Sequence, residues 1–282
     1  VSHLHLMATS EELLSSLSKS YSLAASSNKT IFFANVIEKS GISGFYEQLE
    51  ENIIKDKISL LLIDISTFYI DPFSIFKLKQ KYGFMVVLVA FDDEFKFEWL
   101  SSSLATIADL VLTTDCVSVD RYRQSGVNAH FLPLPVEISK EFSVNENNYK
   151  HDVSFVGRIA TDKGHRLNFS NYLDQKDHGF KVSWHGNSEK EGSRFLTRLD
   201  MMKVFNNSLI NLNFTDIVTY VNRDDPLFNK IRGIKLRPFE IASAAGFCLS
   251  EFSLGLEKCF KDKQEIVFFR NKQELVEKIN HY

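Results

Sequence analysis

Lys235-Leu-Arg-Pro-Phe-Glu-Ile-Ala-Ser-Ala-Ala-Gly-Phe-Cys-Leu-Ser-Glu251 is the stretch on which the reading of this chain turns. Lys235, Arg237 and Glu240 introduce a helix of small residues that stops at Gly246 and runs into a short apolar strand. Small residues let such a helix lie close against a sheet, which is how α/β layers are built. The first turn of the helix offers unpaired N–H groups and the positive end of the helix dipole, where a phosphate is favoured. Lys235 and Arg237 add charge to that pole, and an arginine can hold a diphosphate through two parallel hydrogen bonds. Glu240 can only accept when ionised, which suits a sugar diol. A diphosphate beside a diol is the chemistry of a nucleotide sugar.

Outward from that stretch, the chain alternates strands and helices. Ile31–Ile37, Ser59–Ile65, Phe84–Ala90 and Leu110–Thr113 are continuous apolar runs of strand length, rich in branched or aromatic side chains. Such runs fit strands of a parallel sheet that is buried on both faces. Helical patterns lie at residues 10–25, with Ser10 as cap, and at Gly44–Ile54. Phe131-Leu-Pro-Leu-Pro135 and the polar stretch Lys140–Lys150 mark a linker. A second series follows it: Val153–Val156, Val182–His185, Leu209–Phe214, Phe247–Ser250 and Ile266–Phe269, closed by an amphipathic helix over Lys272–Ile279. Two doubly wound α/β domains are expected, over residues 1–137 and 138–282.

Composition narrows the function classes. With 282 residues, each domain can bury its own core. A formal charge of −3 argues against general nucleic-acid binding, which needs a basic field. Cys116, Cys248 and Cys259 are widely spaced and form no zinc or dithiol pattern, so free thiols are expected. No apolar run nears the ~20 residues that span a bilayer. The start Val1–Met7 has no basic region and no long apolar segment, so a cytoplasmic protein is expected, with room left for peripheral membrane contact. Most of the 25 phenylalanines fall within apolar runs and are assigned to the cores. No Gly-x-Gly-x-x-Gly follows the early strands, which disfavours a dinucleotide-dependent dehydrogenase.

The pattern Arg237-x-Phe239-Glu240-Ile241, with its small residues, Gly246 and a strand ending in Ser250-Glu251, resembles the donor domain of GT-B glycosyltransferases. Its closest flavour is the CgeB-like group of the broad family-1-type (glycosyl transferases group 1) enzymes. Asp152-Val-Ser-Phe-Val-Gly-Arg158, then Lys163-Gly164, resembles the opening of that domain in retaining enzymes, where the arginine and lysine meet the donor diphosphate. Val182-Ser-Trp-His-Gly186 resembles the next strand, which ends in a glycine near the nucleotide. The likeness covers roughly residues 150–270. It implies a GT-B architecture, two Rossmann-like domains facing a central cleft, with the acceptor side in the N-terminal one. It also implies that Arg158, Lys163, Lys235 and Arg237 bind the diphosphate, Glu240 binds the ribose, and Gly157, His185 and Gly186 lie near the nucleotide. One departure stands out. Retaining members carry a Glu-x7-Glu pair, and the first glutamate, which contacts the transferred sugar, is replaced here by Arg232.

Each candidate has a plainer reading. Arg158 and Lys163 could be solvated charges on a strand-to-helix turn, and Lys235 or Arg237 could pair with an acid such as Glu251. Glu240 could simply offset the helix dipole. His185 could be a satisfied structural histidine, although it stands at a strand end, where doubly wound folds place ligands. Asp92 and Asp93 also follow a strand and are the only catalytic candidates, weak ones; the alternative is an Asp-rich helix cap. Their spacing does not form a metal-binding Asp-x-Asp, so no metal is expected. Asp216–Asp225 is read as a polar loop over the donor sugar. His130 and His165 have no serine or cysteine partner at a nucleophile spacing.

The function implied is transfer of a sugar from a nucleotide-diphosphate donor, UDP-sugar favoured, to a hydroxyl of a glycan, lipid, protein or small molecule. Retention and metal independence are expected: arginines and a helix end would stabilise the leaving diphosphate, and domain closure would exclude water. No separate cofactor is implied. The reading from another class is a catalytically silent GT-B module that binds nucleotide or glycan as a scaffold, kept open by Arg232. An epimerase is the rival among enzymes.

Overall fold

The computed structural model describes residues 2–7, 27–65, 70–134, 136, 141–144, 148–160, 164–175, 178–186, 190, 193–217 and 231–282. The helix expected over residues 10–25 lies outside them. The chain separates into two units, Val1–Pro135 and Val136–Tyr282.

The N-terminal unit holds six strands: β1 Ser2–Met7, β2 Ser27–Phe32, β3 Leu60–Ile65, β4 Met85–Ala90, β5 Leu110–Thr113 and β6 Ala129–Phe131. They pair in the order β2-β1-β3-β4-β5-β6, every pair parallel. Side chains alternate between the two faces of each strand. Leu61, Ile63, Val86 and Leu88 join one core with Phe33, Phe45 and Leu49 of helix α1 (Phe33–Lys55) and Ile75 and Leu78 of α2 (Pro72–Tyr82). Leu62, Val87 and Val89 pack on the opposite face. Burial on both faces is why these strands read as unbroken apolar runs. Helix α2 begins at Pro72, with Asp71 accepting from the Phe73 and Ser74 N–H groups, and ends at Gly83 in the left-handed region, φ 73°.

The structure redraws one strand. The apolar run Ile31–Ile37 stays extended only to Phe32, and α1 starts at Phe33. β2 is the edge strand, and its ladder with β1 ends at the pair Met7–Phe32. Beyond that pair, Phe33 is buried against Phe45, with ring centroids 6.1 Å apart. Short strands β1 and β6 are additions that the apolar-run reading does not contain.

The C-terminal unit has five strands: β7 His151–Val156, β8 Val182–His185, β9 Ser208–Asn213, β10 Cys248–Glu251 and β11 Val267–Phe269. Their order is β11-β10-β9-β7-β8, again all parallel. Phe169 of α6 (Gly164–Asp174) packs at 5.2 Å from Phe214 and 5.8 Å from Phe269, and Leu275 and Ile279 of α10 (Lys272–His281) close the same core. Helices α7 (Arg198–Asn206), α8 (Arg237–Ser243) and α9 (Leu254–Cys259) complete the unit; in the N-terminal unit α3 is Asp93–Lys96, α4 Ser102–Ala105 and α5 Ser118–Gln124. Read from β8, the order matches the start of the N-terminal sheet: second strand, first, third, fourth, fifth. Such sheets bind ligands at their carboxyl ends where the winding reverses. Those points are the β1/β3 boundary and the β7/β9 boundary.

Candidate functional site

The carboxyl ends of β7 and β8 hold four of the residues singled out in the sequence: Gly157, Arg158, His185 and Gly186. Gly157 and Arg158 follow β7 directly, and the Gly157 N–H donates to the His185 carbonyl at 2.9 Å. Gly186, at the end of β8, has φ 104°, and a side chain there would meet the Gly157 carbonyl oxygen at 2.7 Å. Two glycines thus let the backbones of β7 and β8 approach at the strand ends, leaving Arg158 exposed. His185 presses its ring on His151, 5.2 Å between centroids. Burial, then the charges of His151 and Arg194, lower its basicity, and among the described residues its Nε2 has no hydrogen-bond partner.

Two arginines share this edge. Arg166, in the first turn of α6, donates from Nε to Asp216 at 2.6 Å and from a terminal nitrogen to the Arg158 carbonyl at 3.4 Å. Asp216 follows β9, so this ion pair joins the loops after the two strands of the reversal point. Arg237, the first residue of α8, donates to Glu240 at 2.7 Å, touches the Met201 sulfur and lies over the Phe205 ring at 5.4 Å. Burial lowers the guanidinium pKa of Arg237, Glu240 opposes that, and the positive charge of Arg166 adds to it, so the two cations share one region. Its side chain remains 24% exposed, and a guanidinium stays protonated throughout. Arg237 pairs with Glu240, not with Glu251.

Glu251, at the end of β10, is engaged elsewhere. It accepts from Arg232 at 2.8 Å, from His165 at 2.9 Å and from the Thr215 N–H at 3.0 Å. Arg232 also donates to Nδ1 of His165 at 3.2 Å, which assigns the ring proton to Nε2. Burial alone would raise the carboxyl pKa of Glu251. The hydrogen bond and positive N–H edge of His165, the charge of Arg232 and the Thr215 N–H outweigh it and bring the group to about 2. Arg232, the residue that replaces the first glutamate of the Glu-x7-Glu pair, is therefore held by a buried carboxylate.

The small-residue helix is shorter than its composition suggests. α8 ends at Ser243, and the left-handed residue after it is Ala245, φ 53°, where Gly246 was expected to end the helix. Gly246 serves packing: a side chain there would meet the Phe205 carbonyl at 2.8 Å and the Asn211 amide at 2.9 Å. Lys235 lies half-buried in the segment leading to α8. Lys163 and residues 218–230, including most of the Asp216–Asp225 stretch, lie outside the described residues.

In the N-terminal unit, Asp93 is fully buried, and its Oδ2 accepts from Thr113 and Tyr122, each at 2.7 Å. Asp92, in the left-handed region at φ 57°, makes no side-chain cap and pairs with Lys96 at 3.1 Å. The structure brings Arg158, Arg237, Glu240, Gly157 and Gly186 to one unit and leaves Asp92 and Asp93 in the other. It adds Arg166, Asp216 and the Arg232–Glu251–His165 group. Arg166 follows Lys163 by three residues, a helical spacing that could have flagged it.

Residues 163–282 match the model of a family described as glycosyl transferase-like. The architecture over the whole chain is similar to that of GT-B proteins of known structure. Anabaena Alr3699/HepE, in complex with UDP and glucose, superposes with a TM-score of 0.63 at 12% identity, covering 99% of this chain and 89% of that one. The apo form of the lipopolysaccharide outer core galactosyltransferase WaaB gives 0.62 at 11% identity, covering 100% and 89%. The UDP-GlcNAc 2-epimerase of Methanocaldococcus jannaschii gives 0.55 at 9% identity, covering 100% and 92%. Among curated proteins, no sequence match is found. The fold is the GT-B fold of glycosyltransferases, with a Rossmann-like parallel sheet in each unit. The match to the glycosyl transferase-like model lies within the C-terminal unit.

Proposed function

We propose that this protein transfers a sugar from a nucleotide-diphosphate donor to a hydroxyl acceptor, with the donor held by the C-terminal unit. The observation that carries the reading is the meeting of Arg166, Arg237 and Glu240 beside the Gly157-Arg158 backbone at the β7/β9 reversal point, within the stretch that matches the glycosyl transferase-like model. Cleavage of the donor builds negative charge on the leaving diphosphate. Preorganised guanidinium groups stabilise that charge in place of water, which is where electrostatic catalysis gains most. Because Asp216 and Glu240 hold Arg166 and Arg237 before a ligand arrives, little reorganisation is left for the reaction step. Glu240 keeps acceptor capacity beyond its bond to Arg237, which supports contact with the ribose diol. Lys163, Lys235, His185 and Gly186 complete the proposed nucleotide surroundings.

UDP is the proposed nucleotide, supported by the UDP and glucose bound to the similar HepE fold. Metal independence and retention of configuration belong to the same proposal, supported by the arginine cluster and by the Gly157-Arg158 motif. The epimerase of similar fold makes a UDP-sugar isomerisation the second reading.

The test incubates the protein with UDP-, GDP-, ADP- and CMP-sugars and follows free nucleotide and the sugar NMR spectrum together. Nucleotide released from one donor, with Arg237→Ala and Glu240→Ala each weakening binding about tenfold or more, is expected, since hydrogen bonds to charged groups contribute ~1.5–3 kcal/mol. A sugar that changes configuration without nucleotide release would establish the epimerase reading. No turnover and no nucleotide binding would sink both.

A further inference from the structure

Two helices of the N-terminal unit present more outward apolar surface than covering a sheet requires. The part of α1 that follows Gly41 lies beside α2. The Asp71 N–H donates to the Tyr46 hydroxyl at 3.0 Å, and Glu50 accepts from Lys81 at 2.8 Å and from the Tyr82 hydroxyl at 2.6 Å. These bonds seal the seam between the helices, so their outward sides form one surface.

Phe73, Phe76, Lys77 and Gln80 of α2 follow the i, i+3, i+4, i+7 spacing of a single helix face, opposite the one that puts Ile75 and Leu78 in the core. Phe73 is 61% exposed and Phe76 41%. A helix that only covers a sheet carries one apolar stripe and a polar outer side, whereas α2 has apolar residues on both. On α1, Glu47, Glu51 and Ile54 share the outward side by the same spacing, and Ile54 is 56% exposed. Charge divides across the surface, with Lys77 and Lys81 on α2 and Glu47 and Glu51 on α1. Lys77 lies over the Phe73 ring at 4.4 Å, and neither it nor Glu47 nor Glu51 joins an ion pair among the described residues. Glu47 and Glu51 are also like charges one turn apart, which costs a helix stability.

Exposed apolar side chains gathered in one patch mark a surface that a partner covers. The charge pattern decides which partner. An anionic lipid surface would attract the lysines and repel the glutamates beside them. A second copy of this chain, turned about a twofold axis, meets no such conflict. An isologous contact sets the patch against itself, so lysines of each copy meet glutamates of the other twice over.

We propose that the α1/α2 face of the N-terminal unit is a homodimer interface, which buries Phe73 and Phe76 and sets Lys77 of each copy against Glu47 and Glu51 of the other.

Sedimentation velocity of the full chain, across micromolar concentrations, is expected to show a monomer–dimer equilibrium. Phe73→Ser and Phe76→Ser should each weaken it about tenfold, the effect of removing an aromatic anchor from an interface. Lys77→Glu alone and the double variant Glu47→Lys/Glu51→Lys alone should be monomeric, because like charges then meet twice. Mixed in equal amounts, these two should recover a heterodimer, since opposite charges face each other again; that recovery also shows that both variants fold. Wild type that stays monomeric up to near-millimolar concentration overturns the interface, as does a dimer that all four variants leave unchanged. Reversed-charge variants that fold by circular dichroism yet stay monomeric when mixed refute the pairing. Wild type that binds phosphatidylglycerol vesicles without self-associating assigns the face to a lipid surface instead.

Discussion

Replacing Asp64 by asparagine should make the protein more stable at neutral and alkaline pH, and the size of the gain follows from its burial. The carboxyl group sits beside Leu62 and Val89 with one oxygen unpartnered among the described residues, and its pKa rises from 3.8 to about 7 on folding. The sign is fixed by linkage. Between pH 3.8 and about 7 the folded chain retains a proton that the unfolded chain has lost, so stability falls as pH rises through this window. The full difference is about 7 − 3.8, or roughly 3 pH units. At ~1.36 kcal/mol for each, the loss approaches 4 kcal/mol above pH 7. Asparagine resembles the protonated acid and does not titrate. The variant should therefore match wild type near pH 4 and exceed it by up to ~4 kcal/mol at pH 8, an upper bound because water entry relaxes a buried charge. Each unit contains one tryptophan, Trp99 or Trp184. In a Trp184→Phe background, urea unfolding followed by Trp99 fluorescence reports the N-terminal unit alone. A stability difference that stays constant from pH 4 to pH 8, or an asparagine variant less stable at pH 8, would refute the reasoning.

Further outcomes follow from the C-terminal unit. Glu251 behaves in the opposite sense: its pKa falls from 4.5 to about 2 on folding, so its contribution is complete above pH 4.5 and disappears as the solution is acidified toward pH 2. Glu251→Gln should destabilise by ~3 kcal/mol at pH 7 and flatten the acid limb of a Tm-against-pH curve; an unchanged acid limb would contradict the assigned network. Gly186→Ala forces a side chain onto the Gly157 carbonyl at a backbone angle of φ 104°, so a loss of ~2 kcal/mol or more is expected in denaturant melts, along with weaker nucleotide binding. Phe169→Ala removes the ring shared by Phe214 and Phe269 and should cost ~3–5 kcal/mol by the same assay.

How much of this was legible in the chain depends on whether it is a local or a through-space property. The apolar runs at Leu60–Ile65, Met85–Ala90 and Leu110–Thr113 identify parallel strands because burial on both faces leaves no room for alternation. Arg237 and Glu240 are three residues apart on one helix, so their pairing is a matter of helical geometry. The glycines that close β7 and β8 are similarly readable, since a strand end that must approach another backbone has few alternatives. Asp64 is different: in the sequence it is one polar residue inside an apolar run, and nothing local distinguishes it from a solvated strand end. Arg232, His165 and Glu251 lie 19 to 86 residues apart along the chain and meet because β7, β9 and β10 are neighbours in one sheet. Ile31–Ile37 was extended too far for the same reason, as its strand ends where the ladder with β1 ends, at Phe32. The alternation of strands and helices and the cationic helix start are properties of short segments and were legible in the residues alone. Strand order decided where the two reversal points fall and which charges they gather, because a parallel crossover joins residues by the path of the chain through space, which no periodicity records.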